Sequence, residues 1–284
     1  MDISFTKMHG CGNDYIYINC LKGIPFDPRR LANVMAPRHY SVGGDGIVLI
    51  CASKVADFKM RMFNLDGSEG KMCGNAIRCV GKYVFENHLT DKLSLVIETL
   101  SGLKTLTLHK KNGKIVGVTV DMGKASLEPE MIPVLSKDKF IQHPFEVNGV
   151  TYYGTALSMG NPHVVIYMDD IYSLDLKKMG KDFEYHPLFP ERVNTEFVKV
   201  IDRTNLDMRV YERGSGETFA CGTGACAAAV SSVINGYCDY DTPIGVSLIG
   251  GTLTIVVDRD LNVKMTGPAT KVYDGVFAYE CETE

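Results

Sequence analysis

The sequence predicts a strand-rich chain of two similar domains, each carrying a helix that begins immediately after a cysteine. Three observations predict this. First, Met72-Cys73-Gly74-Asn75-Ala76 and Ala220-Cys221-Gly222-Thr223-Gly224 follow one plan. In each, a Gly-rich approach delivers a cysteine, a small residue, an amide or hydroxyl residue, and then a run of helix-forming composition. Second, Cys73 and Cys221 lie 148 positions apart (221 − 73 = 148). The same offset joins Gly12-Asn13 to Gly160-Asn161 and Glu69 to Glu217, sets Asn64 against Glu212, and more loosely sets Gly46 against Asn194. Two long copies imply a duplicated domain rather than a solenoid, which needs several short periods. Third, short apolar runs recur between turn signals, as expected of strands. A duplication with a site between its halves accounts for all three.

The elements follow in order. Residues 4–8 and 15–19 read as strands flanking the loop His9-Gly10-Cys11-Gly12-Asn13-Asp14. Asp27-Pro28 supplies a helix cap and a proline at the first helical position, opening a helix to about Met35. Strands follow over 47–51 and 58–63, the second leading through Asp66-Gly67-Ser68-Glu69-Gly70 to the Cys73 helix. Residues 94–99, 104–109 and 115–122 are strands, with a hairpin at Asn112-Gly113. The stretch 123–140, with Pro129 and Pro133, has no clear period and is where the chain is expected to change domain. The expected lobes are therefore 1–122 plus 273–284, carrying Cys73, and 123–272, carrying Cys221. In the second, Asn148-Gly149 marks another hairpin, 163–168 a strand and 175–182 a short helix. Strands over 195–201 and 207–211 precede the Cys221 helix, which runs to about Asn235. A meander over 246–249, 252–257 and 262–266, then a last strand over 272–279, complete the chain.

Composition limits the function. The 284 residues carry 30 basic and 34 acidic side chains, for a net charge of −4, with no basic block. Nucleic acid is not an expected partner. Met1-Asp2-Ile3-Ser4-Phe5 lacks a signal-peptide pattern. The least charged stretch, 219–238, is too rich in Gly, Ser, Thr and Asn for a membrane span and reads as a helix enclosed by protein. Nine cysteines, an odd number with no CxxC spacing, indicate neither a disulfide framework nor a zinc ribbon. A reducing cytoplasm fits that usage.

A thiol at a helix N-terminus sits among unpaired N–H groups and the positive end of the helix dipole. The same amides can hold a carboxylate. A thiol of pKa ~8.5 is only about 3% ionised at neutral pH, and lowering it to ~7 is worth about 2 kcal/mol. The dipole contributes about 0.3–1 kcal/mol at most exposed sites, and a bound carboxylate opposes it. A proton acceptor is therefore required, and His163 and Glu212 are the candidates. Two neighbouring thiols would titrate as a pair, with one thiolate and one thiol as the working state. Such a pair suits inversion at a carbon acid, one sulfur removing the α-proton and the other protonating the opposite face. The amides of Gly74, Asn75, Gly222 and Thr223 would hold the α-carboxylate and its developing charge. No pyridoxal-phosphate lysine motif or metal-ligand cluster accompanies the cysteines, so the chemistry reads as free of cofactor and metal.

Four long segments then carry a family resemblance: Met8-His9-Gly10-Cys11-Gly12-Asn13-Asp14-Tyr15, the run from Phe63 to Cys79, Gly160-Asn161-Pro162-His163, and the run from Tyr211 to Cys226. With Thr266-Gly267-Pro268-Ala269-Thr270-Lys271-Val272-Tyr273-Asp274-Gly275, they resemble the diaminopimelate epimerase family nearly end to end. The resemblance implies an α+β fold of two pseudo-symmetric domains, each a mixed β-sheet wrapped around a central helix. It implies a cofactor-independent enzyme interconverting LL- and meso-2,6-diaminopimelate, in the route to lysine and peptidoglycan precursors. By position it makes Cys73 and Cys221 the paired acid and base, tuned by His163 and Glu212. Asn13, Asn64, Asn161, Asn194, Glu212 and Arg213 would bind the substrate's polar ends, and Tyr273 would lie at a homodimer contact. Gly46 departs from the pattern, since some members carry a substrate-contacting glutamine there.

Plainer readings stand beside these. Asn13 and Asn161 could be left-handed turn residues after glycine. His163 could be a packed strand histidine, Glu212-Arg213 a solvated pair, and Glu69 and Glu217 second-rank supports or helix caps. Cys79 and Cys226 read as core, Cys20 and Cys51 as strand-end filler, Cys11 as a loop residue, and Cys238 and Cys281 as unassigned. The rival functions are a proline or hydroxyproline racemase on the same scaffold and a thiol redox or metal-binding protein.

Overall fold

The computed structural model describes residues 1–280. Residues 281–284, with Cys281, lie outside the described residues. The chain divides into two compact units, one of Met1–Val120 with the segment from Gly267, the other of Asp121–Thr266.

The first unit runs β1 (Asp2–Gly10), β2 (Asn13–Cys20), α1 (Pro28–Met35), β3 (Gly46–Cys51), β4 (Phe58–Asn64), β5 (Glu69–Gly70), α2 (Gly74–Glu86), β6 (Ser94–Thr99), β7 (Gly102–Lys111) and β8 (Lys114–Lys124). The second has β9 (His143–Val147), β10 (Val150–Ser158), β11 (Pro162–Tyr167), α3 (Leu176–Glu184), β12 (Asn194–Asp202), β13 (Asn205–Glu212), β14 (Gly216–Glu217), α4 (Gly222–Ile234), β15 (Ile244–Leu248), β16 (Gly251–Val257) and β17 (Asn262–Gly267). A last strand, β18 (Thr270–Ala278), returns to the first unit antiparallel to β1, with Ser4 opposite Val276.

Within each unit the pairing is the same. β2 and β3 are parallel, β3 and β4 antiparallel, β4 and β6 parallel, and β6 and β7 antiparallel. β11, β12, β13, β15 and β16 repeat that sequence of pairings. The fold is α+β, two copies of one mixed-sheet plan. Asn112 and Gly113 both have positive φ (51° and 80°), as do Asn148 and Gly149 (51° and 76°), the geometry that makes Asn-Gly a tight hairpin turn.

Each sheet carries helices on both faces. On one face of the first, Leu31, Ala32 and Met35 of α1 pack with Ile16, Ile18, Ile47, Leu49 and Phe63. On the other, the Tyr17 hydroxyl donates to the Ala76 carbonyl of α2 at 3.3 Å, and every residue of 74–81 is buried. In the second unit Leu176 and Phe183 of α3 pack with Val164, Ile166 and Phe197. Tyr167 points the other way, donating to Ser231 of α4 at 2.8 Å. α4 is buried over 224–233, which explains its small apolar composition on every side. The two-residue strands β5 and β14 were not expected from sequence. Each is a short return of the chain alongside the preceding strand, too brief for any periodicity to register.

Candidate active site

Cys73 and Cys221 occupy the cap positions of α2 and α4, both with extended backbone (φ −132° and −112°). In both units the chain arrives through a turn tied back to the preceding strand by an arginine. Arg61 grips Glu69 with two bonds of 2.7 and 2.9 Å, and Arg209 donates to Glu217 at 2.8 Å. Glu69 and Glu217 are thus turn clamps and not helix caps. Their arginine partners also lie 148 positions apart, a match the sequence reading overlooked.

In the first unit Cys73 is partly exposed and its thiol donates to Asn13 Oδ1 at 3.2 Å. Asn13 is itself held by Asp45 at 2.6 Å, and Asp45 by Arg38 at 2.8 Å. Asn13 opens β2 with ordinary backbone. The left-handed residues are Cys11 and Gly12, so the turn-residue reading of Asn13 is replaced, and Gly160 takes that role before Asn161. Asn64 ends β4 and donates to Ser68 at 3.0 Å. Gly74 and Asn75 form the first turn of α2. The Asn75 side chain turns inward to accept from Arg78 at 2.9 Å, so it is the Asn75 backbone that faces the cysteine end. Fully buried Arg78 also donates to the Gly74 carbonyl and to Pro268, and was not singled out from the sequence. At Gly46 a Cβ would fall 2.0 Å from the Phe63 carbonyl oxygen, so no side chain fits this backbone.

In the second unit Cys221 is buried, accepting from the Gly224 N–H at 3.3 Å, with Thr223 Oγ1 at 3.5 Å. Asn161 donates to Thr223 at 3.4 Å, and its Oδ1 lies 3.1 Å from His163 Nε2. The other ring nitrogen of His163 lies 2.7 Å from Glu196 Oε1, with both side chains sealed from solvent. Glu212 accepts from Thr218. Asn194 donates to the Pro162 carbonyl at 2.7 Å and accepts from the Arg213 N–H at 2.9 Å, leaving each of its atoms one further hydrogen-bonding position. The Arg213 guanidinium donates to the Glu191 carbonyl at 2.9 Å.

The protonation of this cluster departs from a simple helix-dipole expectation. Burial pushes the Cys221 thiol well above its ordinary range, and the charges of Glu212 and Glu196 push it further. The Gly224 and Thr223 hydrogen bonds act the other way but are outweighed. Burial also raises Glu212. Cys221 therefore rests as a thiol.

The diaminopimelate epimerase family model matches residues 5–128 and 155–272. The chain is 54% identical over 273 residues to a diaminopimelate epimerase of Acetivibrio thermocellus, covering 95% of this chain and 97% of that one. It is 50% identical over 275 residues to that of Methanococcus maripaludis, covering 96% and 99%. This chain belongs to the diaminopimelate epimerase family. Among solved structures, a PhzF-family phenazine biosynthesis protein from Bacillus anthracis superposes with a TM-score of 0.73 at 16% identity, covering 98% of this chain and all of that one. A hydroxyproline epimerase from Agrobacterium vitis does so at 0.70 and 12%, covering 99% and 94%. At such identity these establish the fold.

Of the residues expected from sequence, Asn13 meets Cys73, while Thr223 and Glu212 act on Cys221 and Asn161 links Thr223 to His163. Asn64 is tied to Ser68 and the Arg213 guanidinium to Glu191. Tyr273 is exposed on β18, with its ring edge-on to Phe5 at 5.9 Å. Cys79 and Cys226 are fully buried core, and Cys20 and Cys51 face each other as the last pair of the β2–β3 ladder. Among the described residues no group of three or more His, Cys, Asp or Glu is placed to hold a metal ion, and no helix is long and apolar enough to cross a membrane. The site residue that sequence reasoning missed is Glu196. Its only signal is a charge inside the apolar run Thr195-Glu196-Phe197-Val198.

Proposed function

We propose that this isomerase interconverts LL- and meso-2,6-diaminopimelate by two-base proton transfer, with Cys73 and Cys221 as the acid and base and with no cofactor. The observation that carries the reading is that both cysteines cap a buried helix at the same point of a repeated fold. At each helix start the first-turn backbone, Gly74 and Asn75 in one unit and Gly222 and Thr223 in the other, is suited to holding a carboxylate on the reacting carbon. As the α-proton leaves, charge grows on that carboxylate, and amides fixed in advance stabilise it without reorganising.

In one direction Cys221, held as a thiol, is the proton donor, and Cys73, once it has lost the proton it directs at Asn13, is the base. The reverse reaction exchanges the roles. Glu212 takes the proton of Cys221 when that residue must act as base. Asn13 orients the Cys73 thiol. Asn64, Asn161, Asn194 and Arg213 supply the amide and guanidinium contacts for the substrate's ammonium and distal carboxylate ends. Arg213 releases the Glu191 carbonyl to do so. The enzyme works in the cytoplasm, as a homodimer through the β18 face carrying Tyr273, in the supply of lysine and peptidoglycan precursors.

Purified protein offered LL-diaminopimelate and both proline enantiomers tests the reading. Formation of the meso isomer with proline untouched is the expected result. Turnover of proline alone would move the chain to the racemase alternative. Bound metal needed for activity, or full activity after oxidation of the two cysteines to a disulfide, would favour the thiol redox or metal-binding alternative.

A further inference from the structure

We infer that Glu196 is a positioning residue that keeps a proton on Nδ1 of His163, so that all proton exchange by this histidine takes place at Nε2. The inference rests on the two-base reading above and deepens it. Glu196 is the third residue of β12 and points to the α4 side of the sheet, since Phe197 next to it packs with α3. His163, the second residue of β11, shares that side, and the parallel β11–β12 register sets His163 opposite Asn194, two residues before Glu196. The 2.7 Å contact between Glu196 Oε1 and His163 Nδ1 follows from this register. Both side chains are 0% exposed.

The chemistry of the pair is constrained from every side. Glu196 Oε2 has no hydrogen-bond partner among the described residues. A carboxylate sealed in this way needs an opposite charge or a donor beside it, and among the described residues the group at bonding distance is the Nδ1 position of His163. Glu196 also lies directly under the first turn of α4: a Cβ on Gly224 would stand 2.8 Å from its Oε1 and 3.2 Å from the Cys221 sulfur. Glycine at 224 thus lets the carboxylate and the thiol approach the same backbone. The remaining titratable groups of the cluster are Glu212 on β13 and Cys221 on α4, and both feel the Glu196 charge. With Nδ1 committed to Glu196, the nitrogen left to give or take a proton is Nε2, beside Asn161, which in turn touches Thr223 at the start of α4. A fixed tautomer is what a histidine needs to act repeatedly in one direction.

Nitrogen-15 spectra of histidine-labelled protein, with the His163 signals assigned by their loss in His163→Gln, read this directly. In the unaltered protein Nδ1 should remain protonated at every pH at which the protein is folded, and in Glu196→Gln it should lose that constancy. A His163 protonated on Nε2 and bare on Nδ1 would overturn the inference, as would spectra unchanged by Glu196→Gln. In turnover, Glu196→Gln should lower kcat at least about tenfold with KM little changed, as wrong-tautomer variants do. Added to His163→Gln it should cost less than about twofold more, because residues acting through one another are not additive. Losses that multiply would mean that Glu196 only supports the fold. Should Glu196→Gln fail to fold, the spectra of the unaltered protein decide alone. Inactivity of the unaltered protein on diaminopimelate would sink the functional reading and leave the spectral result standing.

Discussion

Cys73 and Cys221 stand at one position in two copies of one fold, yet the groups around them differ in charge. The Cys73 thiol donates to an amide oxygen, that of Asn13. Cys221 meets two carboxylates, Glu212 and Glu196, and a buried histidine belongs to the same cluster. At the 148 offset the counterparts of Glu212, Glu196 and His163 are Asn64, Val48 and Tyr15. The frame is thus the same in both halves, down to the Arg61–Glu69 and Arg209–Glu217 clamps, while Glu212, Glu196 and His163 stand only in the second. Under the proposed two-base reading, two cysteines alike in position must take different protonation states to act as donor and acceptor at once, and unequal surroundings are what would let one ionise before the other.

The largest expected effect tests whether both halves are needed. Cys73→Ser and Cys221→Ser should each lower turnover by about 10²–10⁴-fold with the fold retained. A variant keeping more than about a tenth of the activity would break the pairing.

Next comes the charge difference itself. Glu212→Gln removes a negative charge that raises the Cys221 thiol, so the thiol should ionise at lower pH. With Cys73 replaced by alanine, the pH profile of Cys221 alkylation, followed by peptide mass, should move to lower pH in the Glu212→Gln protein. Turnover in the Cys73-containing protein should fall by about 10²-fold as the proton acceptor is lost. A profile moving upward would reverse the assignment.

How much of this was legible in the sequence depends on what kind of signal each feature leaves. The cysteines, Asn13, Asn161 and the cap positions were readable because a repeat and a Gly-rich helix start are local patterns. Asp27-Pro28 likewise marks α1, where Asp27 accepts from the Arg29 N–H at 2.9 Å. Glu196 was not readable. Alternation assigns a charged strand residue to a solvent face, but β12 is covered on both faces, by α3 and α4, and has no such face. The resting protonation of Cys221 was hidden for a related reason: it is set by burial, and the helix dipole visible in the sequence is the smaller influence. Arg61 and Arg209 were readable in principle by the same offset that joins Glu69 to Glu217.

A smaller effect sharpens the comparison of the clamps. Arg209 also donates to the carbonyls of Ile171, Tyr172 and Leu174, so Arg209→Met strands several acceptors and should cost about 2–3 kcal/mol. Arg61→Met, at a more exposed site, should cost about 1 kcal/mol. Denaturant midpoints would measure both, and equal losses would mean that the additional Arg209 bonds contribute nothing.

The smallest effect concerns alkaline stability. A thiol whose pKa is raised by folding contributes stability that is complete below the ordinary thiol range and is lost as pH rises through and beyond it. Cys221→Ser should therefore lose less melting temperature between pH 8 and 10 than the unaltered protein. An identical loss would show that Cys221 ionises as readily folded as unfolded.

The central claim, that two separate groups handle the proton on opposite faces, is tested most directly by isotope partitioning. LL-diaminopimelate is converted in deuterium oxide, and product and unreacted substrate are compared at early times. Two-base chemistry predicts deuterium at the α-carbon of the meso product, with the recovered LL substrate still carrying protium. Deuterium entering the recovered substrate as fast as the product, or product formed with its original proton, would contradict it.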